Sequence, residues 1–405
     1  MATRARAIPT SRHAQARYSG ALDVLIILSD TLLSVLTTPK ICLYKMAICG
    51  KKPGRQSLGA TSRKINNRYE TPMALVRRLG WRSVRMGKLY TIAKNTFTQA
   101  IRQAVYAVLV GCALLLFLIS PSISMYTMSD DNKLLRDMGL STLFLTSLFV
   151  AIFAAAGSIA EEMETKTITT VLSKPVPRFV FVLAKFIGVA AAIGLAHLVC
   201  TIALLMAIRH GVLESAADTH DMTVILAAAV AAGLSVLLAG LFNYWFDWKF
   251  SSTAISLLAG LGTAAIVFLC LFNRNWQFKP QENNIHLTDV YGSILLLFAA
   301  WIVAALALAL SSRFSLAVTL AACVGVFLLG LISDYVFGRL AQQYWWAAIG
   351  RFLIPNLQVF WISDAIYEGT KVPLRYVATA AAYATCYTGG ILALAVAMFQ
   401  RRQAD

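Results

Sequence analysis

The sequence predicts an all-α membrane protein, a polytopic bundle of about eight transmembrane helices. Hydrophobic residues make up 58% of the 405 residues and charged residues only 14%, whereas soluble domains are about half apolar and about a quarter charged. Apolar stretches of transmembrane length also recur from residue 101 to the end of the chain. Together these observations exclude an ordinary soluble enzyme.

Eight apolar stretches are long enough, at about 20 residues, to cross a hydrocarbon core of roughly 30 Å as helices. They run over Ile101–Ser120, Gly139–Ala160, Phe179–Ile208, Met222–Phe246, Thr253–Phe272, Ser293–Ser311, Ser315–Val336 and Tyr376–Phe399. The even number puts both termini on one side. The basic N-terminal segment, together with Arg401 and Arg402, predicts that this side is the cytoplasm. The membrane that the chain crosses is then expected to be the inner, or cell, membrane.

The N-terminal segment carries most of the positive charge. In residues 1–86, Lys and Arg outnumber Asp and Glu sixteen to three, which predicts cytoplasmic retention; with a membrane body, no nucleic-acid partner is expected. Its apolar run Ala21–Pro39 contains Asp23 and Asp30, which disfavours a ninth span. We therefore predict a basic, disordered extension over 1–85 and a transmembrane domain over 86–405, with Met86 as an alternative start of the protein.

Two further stretches predict elements at the membrane surface. Between Lys88 and Ala104, apolar residues recur every three to four positions among polar ones, which predicts an amphipathic interfacial helix or, alternatively, an extension of the first span. Arg339–Arg375 combines Tyr and Trp with polar residues and Pro355, which favours a segment along the outer surface. The spans within Met222–Phe272 are joined by a short polar turn and predict a helical hairpin.

Residue patterns that would carry catalysis are missing from the sequence. It contains no HExxH zinc motif, no GxSxG elbow, no GxxxxGK[ST] phosphate-binding loop and no carboxylate pair within a span. His197 lies inside a span and is predicted to hydrogen-bond to a neighbouring helix, and Lys185 to extend to the inner surface. We expect this chain to be no enzyme and to bind no cofactor or metal, and any ATPase to be a separate polypeptide.

The most informative segment joins the second and third predicted spans. It begins with the acids Glu161, Glu162 and Glu164, which would suit the positive N-terminal end of a short cytoplasmic helix. An apolar stripe that includes Leu172 follows, and Pro175 would end the helix before the next span. The same charges and prolines also fit an ordinary solvated turn.

This segment, EEMETKTITTVLSKPVPRFVFVLAKFIG, resembles the cytoplasmic coupling loop of ABC-2 type transporter permeases. That loop has an acidic ExE, then TxxxLLSxPxxR, then KFxG at the start of the next helix. Weaker similarities occur at Met86–Arg102, Leu353–Ala365 and Ala395–Arg402, so the resemblance extends from Met86 to Arg402. Most ABC-2 permeases have six spans, and the additional pair here lies between the third span and the outer aromatic stretch Arg339–Arg375.

The resemblance implies a permease subunit of an ATP-driven transporter, with a lean toward export. It implies a dimer of a cytosolic ATPase that carries ATP and Mg, a second permease chain, and membrane lipid as partners. The residues implied to form the coupling loop are Glu161, Glu162, Glu164, Thr165, Thr167, Leu172, Pro175 and Arg178, the last at the lipid headgroups. Two alternatives stay open: a membrane enzyme or cofactor-assembly factor acting on lipid-linked substrates, and an ion-coupled carrier.

Overall fold

A computed structural model describes residues 71–124, 131–164, 177–212, 220–278, 285–340, 344–367, 370 and 372–401. The chain divides into two units, Met1–Met86 and Gly87–Asp405, and the packing considered below lies within the second. The apolar run Ala21–Pro39 lies outside the described residues.

The described residues form eleven α-helices and one short 3-10 helix. The α-helices are α1 (Thr71–Arg102), α2 (Ala104–Ser124), α3 (Asp131–Glu164), α4 (Arg178–His210), α5 (Met222–Phe246), α6 (Phe250–Leu271), α7 (Leu287–Ser311), α8 (Leu316–Leu340), α9 (Trp345–Leu353), α10 (Ser363–Tyr367) and α11 (Leu374–Arg401). Eight of them, α2 to α8 and α11, are long and apolar enough to cross a membrane. The all-α polytopic fold predicted from the sequence is confirmed.

Three helices form the centre of the bundle. About two thirds of the apolar window of α3, α4 and α7 is buried, against about a quarter for the other five spans. Alanines line the buried faces, such as Ala155 of α3, Ala192 of α4 and Ala304 of α7, each fully buried. Small side chains let helix backbones approach closely, which is how helices associate where no hydrophobic effect drives them together.

Helices α5 and α6 form the predicted hairpin. Asp247 ends α5 in the left-handed conformation, with φ 54°, and its N–H donates to the carbonyl of Asn243. The Asn243 side chain in turn donates to the carbonyl of Trp248 at 2.6 Å. The hairpin packs beside α4, where a Cβ at Gly262 would lie 3.2 Å from the Ile202 side chain.

Helix α1 is longer than the sequence predicted and is separate from the first span. It runs from Thr71 to Arg102, and a bend at Gln103 divides it from α2. Ala93, Thr96 and Ala100 are buried while Tyr90 is exposed, so the helix presents one face to the bundle. Its position in the membrane interface stays a prediction.

Two glycines let α1 and the bend after it pack against the bundle at close range. A Cβ at Gly157 of α3 would lie 2.5 Å from the Gln103 amide, and one at Gly188 of α4 would lie 2.5 Å from the Ala93 carbonyl oxygen. The second contact is with backbone, which cannot move aside as a flexible side chain can.

We therefore expect Gly188→Ala to lower the free energy of unfolding by about 1 to 3 kcal/mol, the usual cost of overpacking. The matched control is Gly194→Ala on the same helix, where an added Cβ meets nothing within 4 Å. It should be neutral or slightly stabilising, because Ala is the better helix former. Thermal unfolding of the two purified variants compares them, and equal stability would contradict the close crossing.

The aromatic segment before the last helix does not form a span in the part that the structure describes. It contains α9, the 3-10 helix Leu357–Phe360 and α10. Leu357 and Phe360 are fully buried, whereas Trp345 is 78% exposed. A Cβ at Gly330 of α8 would lie 2.8 Å from the Pro355 carbonyl oxygen, so the segment folds back onto the end of the bundle.

Candidate functional site

The predicted coupling loop joins α3 to α4, two of the three central helices. Helix α3 ends at Glu164 and α4 begins at Arg178. Between them, Thr165, Thr167, Leu172 and Pro175 lie outside the described residues. The end of the bundle that carries this loop is called the loop side below.

The three predicted acids lie in the last residues of α3. We predicted that Glu161, Glu162 and Glu164 begin a separate short helix, but α3 continues without a break to Glu164. The reason is that no Gly or Pro follows Gly157 before that point to end the helix. Their side chains lie outside the described residues, so their part in coupling stays a prediction.

The exit of the loop is set by a proline. Pro177, with φ −59° and ψ 132°, is the cap residue of α4, and its carbonyl accepts from Val180 N–H at 2.9 Å. Arg178 is the first residue of α4 and is half-buried. The fixed φ of Pro177 therefore defines the direction in which the chain enters α4.

Lys185 lies buried at the base of the loop. It is 1% exposed, its ammonium donates to the carbonyl of Ser158 on α3, and its Nζ lies 5.4 Å from the centre of the Phe181 ring. The prediction that Lys185 extends to the membrane surface is wrong, because α3 offers a carbonyl acceptor within reach. The contact joins α3 to α4 about two turns from the helix ends that carry the loop.

A buried polar cluster joins the three central helices, near the middle of α3 and α4 and in the second turn of α7. His197 of α4 pairs through Nδ1 with the Ser147 hydroxyl of α3 at 2.7 Å and through Nε2 with the Ser293 carbonyl of α7 at 2.9 Å. Thr201 pairs with the Ser293 hydroxyl at 2.6 Å. The prediction of an interior histidine satisfied by neighbouring helices is confirmed.

We expect His197→Ala to lower the free energy of unfolding by about 2 kcal/mol. The change removes interhelical hydrogen bonds of about 0.6 kcal/mol each and leaves a cavity. The matched control, Leu198→Ala, removes a side chain that is 43% exposed and should change little. Unfolding in detergent, followed by circular dichroism, measures the stability of both variants. An equal loss in the two would show that the polar cluster does not stabilise the packing of the three helices.

Ionic contacts concentrate at the end of the bundle opposite the loop side. Arg136 of α3 and Asp289 of α7 lie 3.4 Å apart, with side chains 19% and 3% exposed. Asp289 also accepts from the N–H of His286 and so closes the capping box of α7. The neighbouring Asp137 accepts from the Ser363 hydroxyl of α10.

A second ionic contact lies where α4, α5 and α6 end or begin. Arg209 is 3.7 Å from Asp221 and donates to the carbonyl of Phe272 at 2.7 Å. Asp221 also caps α5 by accepting from the N–H of Thr223. The Arg209 side chain therefore links the end of α4 to the start of α5 and the end of α6.

Arg136, Arg209 and Asp289 all lie outside the spans predicted from the sequence, which assigned them no role. Two signals were available: Asp289 stands three residues after His286, as in a capping box, and four before Ser293, which puts both polar residues on one helix face.

These polar groups fit structural roles better than catalytic ones. Most of the contacts above join two or more helices, although Arg136 Nε and Arg209 Nη1 are buried without a hydrogen-bond partner among the described residues. No group of three metal-ligating side chains occurs among the described residues. Nothing among them forms a nucleophile paired with a base in an open cleft.

Comparison with known proteins gives one match. The family model described as "ABC-2 family transporter protein" matches residues 78–339, which extend from within α1 to the end of α8 and include the predicted coupling loop. No curated protein and no solved structure matches the chain.

Proposed function

Because the chain belongs to the ABC-2 family of transporter proteins, and is therefore a multi-pass permease subunit of an ABC transporter, we propose that it couples ATP hydrolysis to export. ATP and Mg would be held by a separate cytosolic ATPase dimer, and this chain would catalyse nothing itself. Two permease chains, identical or homologous, would form the pathway in the inner membrane.

The observation that carries the proposal is where the predicted loop is attached. It leaves the bundle from α3 and α4, which pack with α7 as the most buried helices. At its base Lys185 binds the Ser158 carbonyl, and further along His197 joins all three helices. A force applied to the loop would therefore move the centre of the bundle as one body.

The position of the acids supports a docking role. At the C-terminal end of α3 the helix dipole is negative, so carboxylates there gain no stability from it. The last turn of α3 also contains no basic residue. Three carboxylates in that position do not stabilise their own helix, and a basic surface on a partner would give them a favourable interaction.

The proposal is tested by copurification. The chain, tagged and expressed with the ATPase encoded nearest to it, is purified from membranes, and ATP turnover is measured in proteoliposomes. We expect a stoichiometric complex whose turnover depends on the permease. A permease that purifies without any ATPase from matched native membranes would contradict the proposal.

The topology follows from the same proposal, because a coupling loop must face the cytosol. We expect both termini and residues 165–176 to be cytoplasmic. Reporter fusions after Arg401 and within the short turn at Arg313 should both report the cytoplasm, and a fusion after Trp276 should report the other side. Detection of the C-terminus outside the cell would contradict the topology.

A further inference from the structure

A cavity of about 330 Å³ lies on the loop side, between the end of α1 and the turn that joins α5 to α6. Its volume falls within the usual range of ligand pockets, about 300 to 1,000 Å³. Two cations line it, Arg102 at the end of α1 and Lys249 at the start of α6. Both are exposed, and no ion pair joins either of them to a described residue.

Charge at this cavity is uniformly positive. Its lining in the described part of the chain contains no carboxylate. The N-cap residue of α6 is Lys249, which makes no side-chain capping bond, so the positive end of that helix adds to the two side chains. An anion is the ligand that these groups favour.

The cavity also has an apolar wall. Ile101, Phe242 and Leu257 contribute to it beside the ring of Trp248. The hydroxyl groups of Ser252 and Thr253 both donate to the Lys249 carbonyl, so toward the cavity their oxygens act as hydrogen-bond acceptors. A ligand that fits this lining carries a negative charge, a hydrogen-bond donor and an apolar part.

The place of the cavity in the membrane favours a lipid over a soluble anion. Around the turn, Tyr244, Trp245, Phe246 and Trp248 are all more than half exposed, and exposed Trp and Tyr are enriched at the level of the lipid headgroups. From there the apolar surface of α5 continues toward the membrane centre through the exposed Leu237. Acyl chains would have an uninterrupted apolar path along it.

We propose that this cavity binds the headgroup of an anionic phospholipid, with Arg102 and Lys249 on the phosphate and the acyl chains along α5. Phosphatidylglycerol fits best among common headgroups, because its glycerol hydroxyls can donate to the hydroxyl oxygens of Ser252 and Thr253. The bound lipid would join the end of α1 to the hairpin turn. Lipid binding at this cavity does not depend on the ATPase partner. A negative result for the lipid can therefore be distinguished from a negative result for the proposed transport function.

Native mass spectrometry of the purified full-length chain tests the site, with dioleoylphosphatidylglycerol titrated against dioleoylphosphatidylcholine. We expect tighter binding of phosphatidylglycerol, and in Arg102→Gln/Lys249→Gln a loss of about five-fold for each charge removed, roughly twenty-five-fold together. The matched control, Lys88→Gln/Arg313→Gln, removes two cations that do not line the cavity and should retain the affinity.

A second variant fills the cavity without changing its charge. Ser256→Trp places a large ring at the lining and should also weaken phosphatidylglycerol binding, which keeps the test valid if the charge variant does not fold. Equal affinity for the two lipids, or a charge variant that binds like its control, would overturn the proposal. Displacement of the lipid by inorganic phosphate at similar concentration would assign the cavity to a soluble anion and overturn it as well.

Discussion

Reversing Glu161, Glu162 and Glu164 to Lys is expected to abolish ATPase binding and ATP-driven transport while the chain still inserts and folds. The three residues follow the apolar part of α3, whose candidate span ends at Ile159, so the energy of insertion should hardly change. If the acids meet a basic surface on the ATPase, six units of charge change at that contact replace attraction by repulsion. Like charges at a close interface cost several kcal/mol.

The measurement is ATPase copurification and ATP turnover at matched membrane abundance. The neutral variant Glu161→Gln/Glu162→Gln/Glu164→Gln should give an intermediate loss, because it removes the attraction without adding repulsion. Asp364→Lys, at an exposed acid on the end opposite the loop side, should leave binding unchanged. Full binding and turnover in the Lys variant would mean that the three acids make no contact with the ATPase.

The spans could be predicted from the sequence because each depends only on local composition. A run of about 20 apolar residues is long enough to cross the bilayer as a helix, and this does not depend on which helices pack beside it. The predicted Met222–Phe246 span coincides with α5, and Phe179–Ile208 differs from α4 by only a few residues. Helices α3 and α7 begin six to eight residues before the predicted spans. Their first turns contain polar residues, and a search for apolar stretches leaves such turns out.

The partners of polar residues could not be predicted in the same way. Lys185 was expected to reach water, as its distance from the helix end allows, but its ammonium binds the Ser158 carbonyl. That outcome depends on which helix lies beside it, and the pairing of α3 with α4 is a property of the whole bundle. His197 was predicted correctly because burial of a polar group demands a partner, although the sequence did not identify Ser147 or Ser293.

The acids of the predicted coupling loop show a third case, in which a local rule predicted a helix start where α3 continues. Acids before an apolar stripe suit a helix N-terminus, and the sequence contains no residue that would end α3 ahead of Glu161. Continuation of the helix costs little, since Glu is a good helix former. The absence of Gly and Pro between Ser158 and Glu164 is the competing signal, and it favours a continuous helix.

Separating Arg136 from Asp289 is expected to destabilise the bundle more than any other single change considered above. The Asp289 side chain is only 3% exposed, and removal of one partner from a buried ion pair costs about 3 to 5 kcal/mol, because the other charge stays buried without compensation. Arg136→Met should therefore cost about 3 kcal/mol. Asp289→Asn should cost less, since the Arg136 side chain is 19% exposed and retains some contact with solvent.

The double variant Arg136→Met/Asp289→Asn distinguishes an ion pair from two independent residues. If the charges interact, the double variant loses less free energy of unfolding than the two single variants lose in sum, by more than about 1 kcal/mol. The chain offers a matched control in Arg351 and Asp334, which are 3.9 Å apart with side chains 42% and 43% exposed. Exposed pairs contribute about 0.2 to 1 kcal/mol, so Arg351→Met/Asp334→Asn should give a coupling energy below that of the buried pair. Unfolding of all six variants in one detergent gives both coupling energies, and equal values would mean that the contact between α3 and α7 does not depend on the charges.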